Sequence, residues 1–185
     1  MKKLGRRIAR LGATFSAAVA LLAFGPTGEA SAAALAAGPY LIFNNVTGKC
    51  VDLPNYGPGT VNGGVYQYTC NGTSGDNQLF HFDYQGVIGG YLQYTIRNAK
   101  DGLCLDVPNY GPVAAGTVVT EYWCRPSGDN QLYWLSQRPD GHFWLVNQAS
   151  GLCLDVDGVR TGGNDAKLTL YYCSDSDDHH WSLYS

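Results

Sequence analysis

Three aspartates occur in the same short motif, Gly-x-Cys-x-Asp, and they are Asp52, Asp106 and Asp155. A second cysteine follows 20 positions after the first in each copy, and a polar pair comes a few residues later. The pairs are Asn77-Gln78, Asn130-Gln131 and Asp178-His179. An ionised carboxylate accepts strong hydrogen bonds, and an amide both donates and accepts them. These groups therefore suit hydrogen bonding to a polar ligand.

Catalysis by carboxylates needs two groups held at a short, fixed separation. The threefold repetition is expected to keep the three aspartates far apart. No Gly-x-Ser-x-Gly nucleophile motif occurs. We predict that the chain is not an enzyme and uses no cofactor.

Acidic and histidine residues cluster near the C-terminus, namely Asp175, Asp177, Asp178, His179 and His180. Such a cluster resembles a metal site. However, adjacent residues on a strand point to opposite faces, so His179 and His180 are not expected to share an ion. We therefore predict no metal site here.

The N-terminal residues have the features of a secretory signal peptide. A basic start precedes an apolar run over 11–24, and Ala30-Ser31-Ala32 offers small residues for cleavage. We predict that residues 1–32 are removed, that 33–38 form a disordered tail, and that the product is secreted and extracellular. No later segment reaches the length of a membrane span, so no membrane insertion is expected.

Loss of this leader changes the charge of the chain. Of the 12 Lys and Arg it removes 5, and of the 15 Asp and Glu it removes 1, which leaves 7 basic and 14 acidic residues and a net charge of −7. Nucleic-acid binding requires a basic surface, so we expect no nucleic-acid partner.

The six cysteines of an exported chain are expected to form disulfides. Six cysteines allow 15 pairings, but the repeat selects one set. The predicted bridges are Cys50–Cys70, Cys104–Cys124 and Cys153–Cys173.

These motifs lie in three repeats, about 39–90, 91–141 and 142–185, each with four short apolar segments between Gly- and Pro-rich turns. No helical period persists, so the pattern predicts an all-β fold of twelve strands. A single repeat cannot bury its own apolar face. The apolar residues expected to meet at a pseudo-threefold axis are Phe80, Tyr133 and Trp181 with Ile42, Ile96 and Leu145. This arrangement is a β-trefoil.

The Cys-x-Asp motifs, the cysteine pairs and the Asn-Gln-x-aromatic motif together resemble the ricin-type (QxW) lectin domain of the secreted bacterial type, also classed as family 13 carbohydrate-binding modules. The resemblance covers essentially the whole chain after the leader. It implies a β-trefoil that binds galactose-type or xylan-type glycans in shallow pockets, up to one per repeat. We expect a monomer.

The resemblance also assigns sugar-binding residues. They are Asp52, Tyr68, Asn77 and Gln78 in the first repeat, Asp106, Tyr122, Asn130 and Gln131 in the second, and Asp155, Tyr171 and Asp178 in the third. The third repeat departs from the pattern, since Asp178 and His179 replace Asn and Gln. The assigned chemistry is reasonable, because a carboxylate accepts sugar hydroxyls and a tyrosine ring covers the apolar C–H face.

Structural alternatives exist for each type of residue. The aspartates could cap turns, the tyrosines could be core residues, and the glutamines could bond loop backbone. Two functional alternatives also remain. One is a protein-binding trefoil that acts through the loops 54–59 and 108–112, as a protease inhibitor would. The other is a stand-alone targeting module that acts with a separate glycosidase.

Overall fold

The structure, a computed structural model, describes residues 34–36 and 38–185. The predicted signal peptide lies outside these residues. The described part of the chain contains strands, turns and irregular segments but no helix, and hence no helix that could cross a membrane. From the predicted tail, the Leu35 backbone N–H donates to the Tyr94 hydroxyl, and the Ala36 carbonyl accepts from Tyr40.

The strands are β1 (Tyr40–Asn44), β2 (Lys49–Asp52), β3 (Tyr66–Tyr68), β4 (Leu79–Ile88), β5 (Tyr91–Asn98), β6 (Cys104–Asp106), β7 (Thr117–Val118), β8 (Thr120–Tyr122), β9 (Tyr133–Gln137), β10 (Phe143–Asn147), β11 (Cys153–Val156), β12 (Ala166–Tyr171) and β13 (Trp181–Tyr184).

Six of these strands close into an antiparallel barrel, in the order β1, β4, β5, β9, β10, β13 and back to β1. The other strands form three hairpins at one end, made by β2 with β3, β6 with β8, and β11 with β12. A closed barrel capped by three repeat-related hairpins confirms the predicted β-trefoil.

The hairpins meet around the pseudo-threefold axis through a closed ring of backbone hydrogen bonds. The Val65 N–H donates to the Val119 carbonyl, Val119 to Leu168, and Leu168 back to Val65, at 2.9 to 3.0 Å. Val119 itself lies between two short strands, so the third strand of the second repeat is divided into β7 and β8, and β7 pairs with β12 of the third repeat. The structure therefore has thirteen strands where the sequence predicts twelve.

The predicted core is confirmed. All six residues expected at the axis are fully buried in one apolar cluster. Trp181 is the largest residue of this set. Its buried ring nitrogen has a hydrogen-bond partner, since Nε1 donates to the Leu154 carbonyl at 3.0 Å.

Three buried asparagines join neighbouring repeats. Each lies six positions before the first cysteine of its repeat and turns the chain toward the Gly-x-Cys motif. Their Nδ2 atoms donate at 2.6 Å to backbone carbonyls of another repeat, with the pairs Asn44 to Asp178, Asn98 to Asn77, and Asn147 to Asn130. The motif glycine that follows has φ of 69°, 77° and 68° at Gly48, Gly102 and Gly151, which explains why glycine stands there.

The three predicted disulfides are confirmed, with Cα–Cα distances of 5.0, 5.0 and 5.1 Å. Each joins the start of the hairpin to the residues just after its second strand. The bridges therefore fix the hairpins, and each hairpin carries the aspartate and the tyrosine that recur at the same positions in every repeat.

Candidate functional site

Three shallow depressions lie at equivalent places in the three repeats, and we call them sites 1, 2 and 3. Their volumes are about 140, 150 and 210 Å³. Each is lined by the motif aspartate and by the tyrosine two positions before the second cysteine. The pairs are Asp52 with Tyr68, Asp106 with Tyr122, and Asp155 with Tyr171. The structure therefore brings these six predicted site residues together in pairs.

The aspartate forms the inner wall of each site. Asp52 and Asp106 end β2 and β6 and are 7% and 5% exposed. Burial raises the pKa of each carboxyl to about 6, partly offset by the amide of Gln78 or Gln131. Both carboxyls are therefore mainly ionised at neutral pH and are available as acceptors.

The tyrosine forms an open wall of each site. Tyr68 and Tyr171 are 40% and 43% exposed, and Tyr122 is half-buried. Each lies opposite the first cysteine of its repeat in the hairpin register. These rings are thus outside the core and present a face to solvent beside the carboxylate.

The asparagines assigned from the resemblance lie behind sites 1 and 2 and do not line them. Asn77 and Asn130 are each 1% exposed. Asn77 Nδ2 donates to the carbonyls of Asn55 and Gly57, both at 2.9 Å. Asn130 makes the same pair of bonds to Asn109 and Gly111, at 3.0 Å. They hold the Pro-Asn-Tyr-Gly loops, so the turn-holding role falls to asparagine rather than to the motif aspartates.

The glutamines are also buried behind the sites. The Gln78 Oε1 atom accepts from the Asn71 N–H at 2.6 Å, while Nε2 donates to Asp52 Oδ1 at 2.9 Å and to the Thr69 carbonyl at 3.1 Å. Gln131 bonds the Arg125 N–H and the Trp123 carbonyl in the same way. Both have no exposed surface. Their bonds connect the loop after the second cysteine to the wall of the site.

Site 3 differs because its polar pair is Asp178 and His179. An ionised carboxylate cannot donate, and Asp178 instead accepts from the backbone N–H groups of Val156 and Arg160, both at 3.1 Å. Asp178 is fully buried and does not line the site. The bond to Val156 has an equivalent in site 1, where Asn77 Oδ1 accepts from the Leu53 N–H at 3.2 Å. Site 3 therefore differs in the loop itself, which is held by the Arg160 N–H and not by two backbone carbonyls.

His179 takes the place of the glutamine. Its Nδ1 lies 3.2 Å from the Ser174 carbonyl and its Nε2 lies 3.3 Å from Asp155 Oδ1. A carbonyl only accepts, so Nδ1 carries the proton and a neutral ring turns a bare Nε2 toward the carboxyl. Burial lowers the pKa of His179. Burial also raises the pKa of Asp155, and the neighbouring Asp178 and Asp177 act in the same direction.

Two sets of lining residues are absent from the sequence prediction. The first is the aspartate just before each polar pair, namely Asp76, Asp129 and Asp177. Each accepts the backbone N–H of the next residue through Oδ1. The recurrence of Asp before the polar pair in all three repeats was the available signal.

The second set comes from a different repeat. Site 1 is lined by Asp165, site 2 by Asn62 and site 3 by Gly116. All three lie eight positions before the second cysteine of their own repeat, with φ of 64°, 64° and 85°. Each site is therefore completed by the hairpin of the preceding repeat around the ring, and the side chain supplied differs from site to site.

The β-trefoil is the fold of ricin-type lectin domains. The chain belongs to this family, because the family model "Ricin-type beta-trefoil lectin domain-like" matches residues 32–120 and 76–171. A search of curated proteins found no significant match.

Solved structures with the same fold include a designed threefold-symmetric protein, ThreeFoil, at 27% identity and a TM-score of 0.68, covering 79% of this chain and 97% of that one. An exo-β-1,3-galactanase from Clostridium thermocellum is similar at 25% identity and a TM-score of 0.66, over 78% of this chain and 29% of that one. A Macrolepiota procera ricin B-like lectin, solved with lactose, is 18% identical with a TM-score of 0.61, over 82% of this chain and 97% of that one.

Proposed function

We propose that this protein is a secreted lectin that binds galactose-type or xylan-type glycans without turning them over. The observation that supports this proposal is the pairing of a buried carboxylate with a tyrosine ring in three repeat-related depressions, the ring being exposed in sites 1 and 3 and half-buried in site 2. A sugar presents hydroxyl groups on its edges and an apolar C–H face. The carboxylate accepts two hydroxyl hydrogens, and the ring covers the C–H face.

The residues behind the sites have positioning roles in this proposal. Gln78 orients the loop and the Asp52 carboxylate, and Gln131 orients the equivalent loop. Asn77 and Asn130 hold the loops that bring Tyr56 and Tyr110 to the rim. Pre-formed hydrogen bonds keep the acceptors in place before the sugar arrives, which reduces the entropy lost on binding.

Sites 1 and 2 are the principal sites at neutral pH. Their carboxyls have pKa values of about 6, whereas Asp155 in site 3 has its pKa raised further by burial and by nearby acidic groups. A proton retained on Asp155 removes the charged acceptor. Site 3 is therefore the weakest of the three.

Useful affinity would come from several sites acting together. A single shallow site with a Kd near 1 mM yields only about 4 kcal/mol. Two or three such sites on one polysaccharide or glycan surface raise the apparent affinity by orders of magnitude. We expect a monomer to suffice for this.

The loops 54–59 and 108–112 are the basis of the protein-binding alternative. In the structure Asn55 and Tyr56 line site 1, and Asn109 and Tyr110 line site 2, so these loops belong to the same depressions as the carboxylates. This placement favours sugar binding. The likeness to 29% of the chain of an exo-β-1,3-galactanase favours a second candidate, a module that directs a separate glycosidase to its polysaccharide.

A glycan array with the purified protein is the first test, followed by calorimetric titration of the best ligand. We expect Asp52→Asn and Asp106→Asn each to remove one site, and the double variant to lower the apparent affinity at least tenfold. Asp83→Asn is the control, because Asp83 pairs with Arg97 on the barrel and lines none of the sites. Retention of full affinity by the folded double variant would refute the proposal.

A further inference from the structure

A second kind of site lies away from the three depressions, where the β9–β10 turn meets the start of β13. Phe143 pairs with Trp181 in the antiparallel register, which makes His142 and His180 diagonal neighbours on the opposite face from these two. His179 points to the interior beside Asp155. The two adjacent histidines thus separate as strand alternation predicts, but His180 finds new partners, Asp140 and His142.

The three polar side chains converge on one point. Asp140 Oδ2 lies 3.0 Å from His180 Nδ1 and 3.2 Å from His142 Nδ1. One ligand atom from each residue lies within 4.8 Å of the others. His142 Nδ1 is buried, and despite this short distance it makes no well-directed hydrogen bond within the described residues.

The two separations from Asp140 Oδ2 are close to the spacing of donors around a small metal ion. In a tetrahedral site with bonds of about 2.0–2.1 Å, neighbouring donor atoms are roughly 3.3 Å apart. We propose that His142 Nδ1, His180 Nδ1 and Asp140 Oδ2 bind one divalent transition-metal cation of the Zn²⁺ type. Two imidazoles and one carboxylate select such an ion over Ca²⁺ or Mg²⁺, which prefer all-oxygen ligands.

A carboxylate lies on the outer side of one of the proposed ligands. Asp175 Oδ1 is 3.6 Å from His180 Nε2, on the side of the ring away from the proposed ion and beyond hydrogen-bond distance. A carboxylate bonded to the non-coordinating nitrogen usually orients a metal-binding imidazole, and Asp175 stands in that position while His180 Nε2 has no hydrogen-bond partner within the described residues. Asp175 is itself fixed by a two-point bond to Arg138, whose guanidinium lies 3.7 Å over the Trp144 ring.

The protein offers three ligands and leaves the cluster partly open. The side chains of Asp140 and His142 are 42% and 33% exposed, and that of His180 is 14% exposed. A tetrahedral ion would complete its coordination with water or with a group from outside. The second cluster, Asp155, Asp177 and His179, is assigned differently, because its carboxylates line site 3 and Asp155 already accepts from Thr169 at 2.7 Å.

The test is calorimetric titration of the tag-free, chelator-treated protein with Zn²⁺, with Ca²⁺ in parallel. We expect one Zn²⁺ per chain at micromolar affinity and no response to Ca²⁺. His142→Gln and Asp140→Asn should each weaken Zn²⁺ binding at least tenfold. His81→Gln is the matched control because it removes a histidine on β4 outside the cluster, and it should leave binding unchanged.

A second measurement distinguishes the loss of the metal site from misfolding of a variant. Co²⁺ in place of Zn²⁺ should give the visible absorption of a tetrahedral site in the wild type and lose it in folded His142→Gln. The proposal is overturned if the wild type binds no Zn²⁺, or if folded His142→Gln and Asp140→Asn bind it like the wild type. It is also overturned if Asp177→Asn, and not His142→Gln, abolishes binding, since that result assigns the ion to site 3.

Discussion

Gln78 and Asp52 are joined by a hydrogen bond of 2.9 Å from Nε2 to Oδ1. Gln78 is fully buried and Asp52 is almost so, and this bond favours the ionised carboxyl against the cost of burial. The glutamine of the repeated motif therefore acts on the ligand site through the aspartate.

Replacement of Gln78 by leucine should consequently weaken site 1 without removing any group that contacts the sugar. We expect about a tenfold loss of affinity at site 1 in an Asp106→Asn background, because a hydrogen bond to a charged group contributes about 1.5–3 kcal/mol. The pH at which binding is half lost should also rise. Gln85→Leu, on the exposed end of β4, is the control. An unchanged pH profile in Gln78→Leu would contradict the positioning role.

Glycan binding by sites 1 and 2 should depend on pH around the pKa of about 6 shared by Asp52 and Asp106. Below this pH the carboxyls take up a proton and lose the charge that makes them strong acceptors. We expect affinity to fall by up to tenfold for each further pH unit. Titrations at pH 7.5, 6.0 and 4.5, with circular dichroism at each pH to confirm folding, measure this. Equal affinity at pH 7.5 and 4.5 would count against the carboxylates as acceptors.

His179→Gln should activate site 3. The neutral imidazole offers Asp155 a bare nitrogen, whereas a glutamine offers an N–H, as Gln78 does in site 1. The pKa of Asp155 should fall, and the affinity of site 3 for glycan at pH 7 should rise severalfold. Titration in an Asp52→Asn/Asp106→Asn background isolates the site. A variant with no gain, or with a loss, would show that His179 is not what weakens site 3.

Glu121 should make the protein less stable as the pH rises. In the first repeat, Thr47 Oγ1 donates to Gln67 Oε1 at 2.6 Å, but the equivalent residues of the second repeat are Asp101 and Glu121. Glu121 is 1% exposed and neither carboxyl oxygen has a hydrogen-bond partner within the described residues. Burial, with a contribution from Asp101, raises its pKa from 4.5 to about 8.

The direction of this pH dependence follows from which state of the chain, folded or unfolded, keeps the proton of Glu121. Between pH 4.5 and about 8 the folded chain keeps this proton and the unfolded chain releases it, so the free energy of unfolding falls with rising pH, by at most about 1.4 kcal/mol per unit. Glu121→Gln should remove this slope and be the more stable protein at pH 8. Urea unfolding of both proteins at pH 5 and pH 8 gives the comparison. An identical pH dependence in the two proteins would disprove the assignment.

The residue that the preceding repeat contributes to each site should make the glycan preferences of sites 1 and 2 different. Asp165 lines site 1 and Asn62 lines site 2, both at φ 64°. The exchange Asp165→Asn/Asn62→Asp conserves shape and net charge, and both residue types tolerate this backbone conformation. We expect the glycan preferences of the two sites, measured one at a time in the Asp106→Asn and Asp52→Asn backgrounds, to change places. Unaltered preferences would mean that these side chains do not contact the ligand.

Several features could be read from the sequence because they are local to one repeat. The disulfide pairs, the hairpin strands and the alternation of buried and exposed residues follow from fixed spacings. The meeting of Asp52 with Tyr68 is of this kind, since both lie on one hairpin closed by one bridge. The core was also predictable, because three copies of a half-buried repeat must bury their apolar faces together.

Other features depended on the closure of the barrel. Asn77 could be recognised as a repeated polar residue, but its bonds to the loop carbonyls became visible only with the loop in place. Asp165 reaches site 1, and His180 reaches Asp140 and His142, only because strands far apart in the chain are brought side by side.

The sequence by itself thus determined the repeat, the disulfides and the β-trefoil, and the family resemblance indicated the aspartate and tyrosine of each depression. Only the tertiary structure decided which side chains line the sites and which lie behind them, what each neighbouring repeat contributes, and where the histidines meet. The physical reason is that spacing specifies contacts within a hairpin, whereas contacts between repeats depend on the ring of strands and on backbone bonds such as that from Leu168 to Val65.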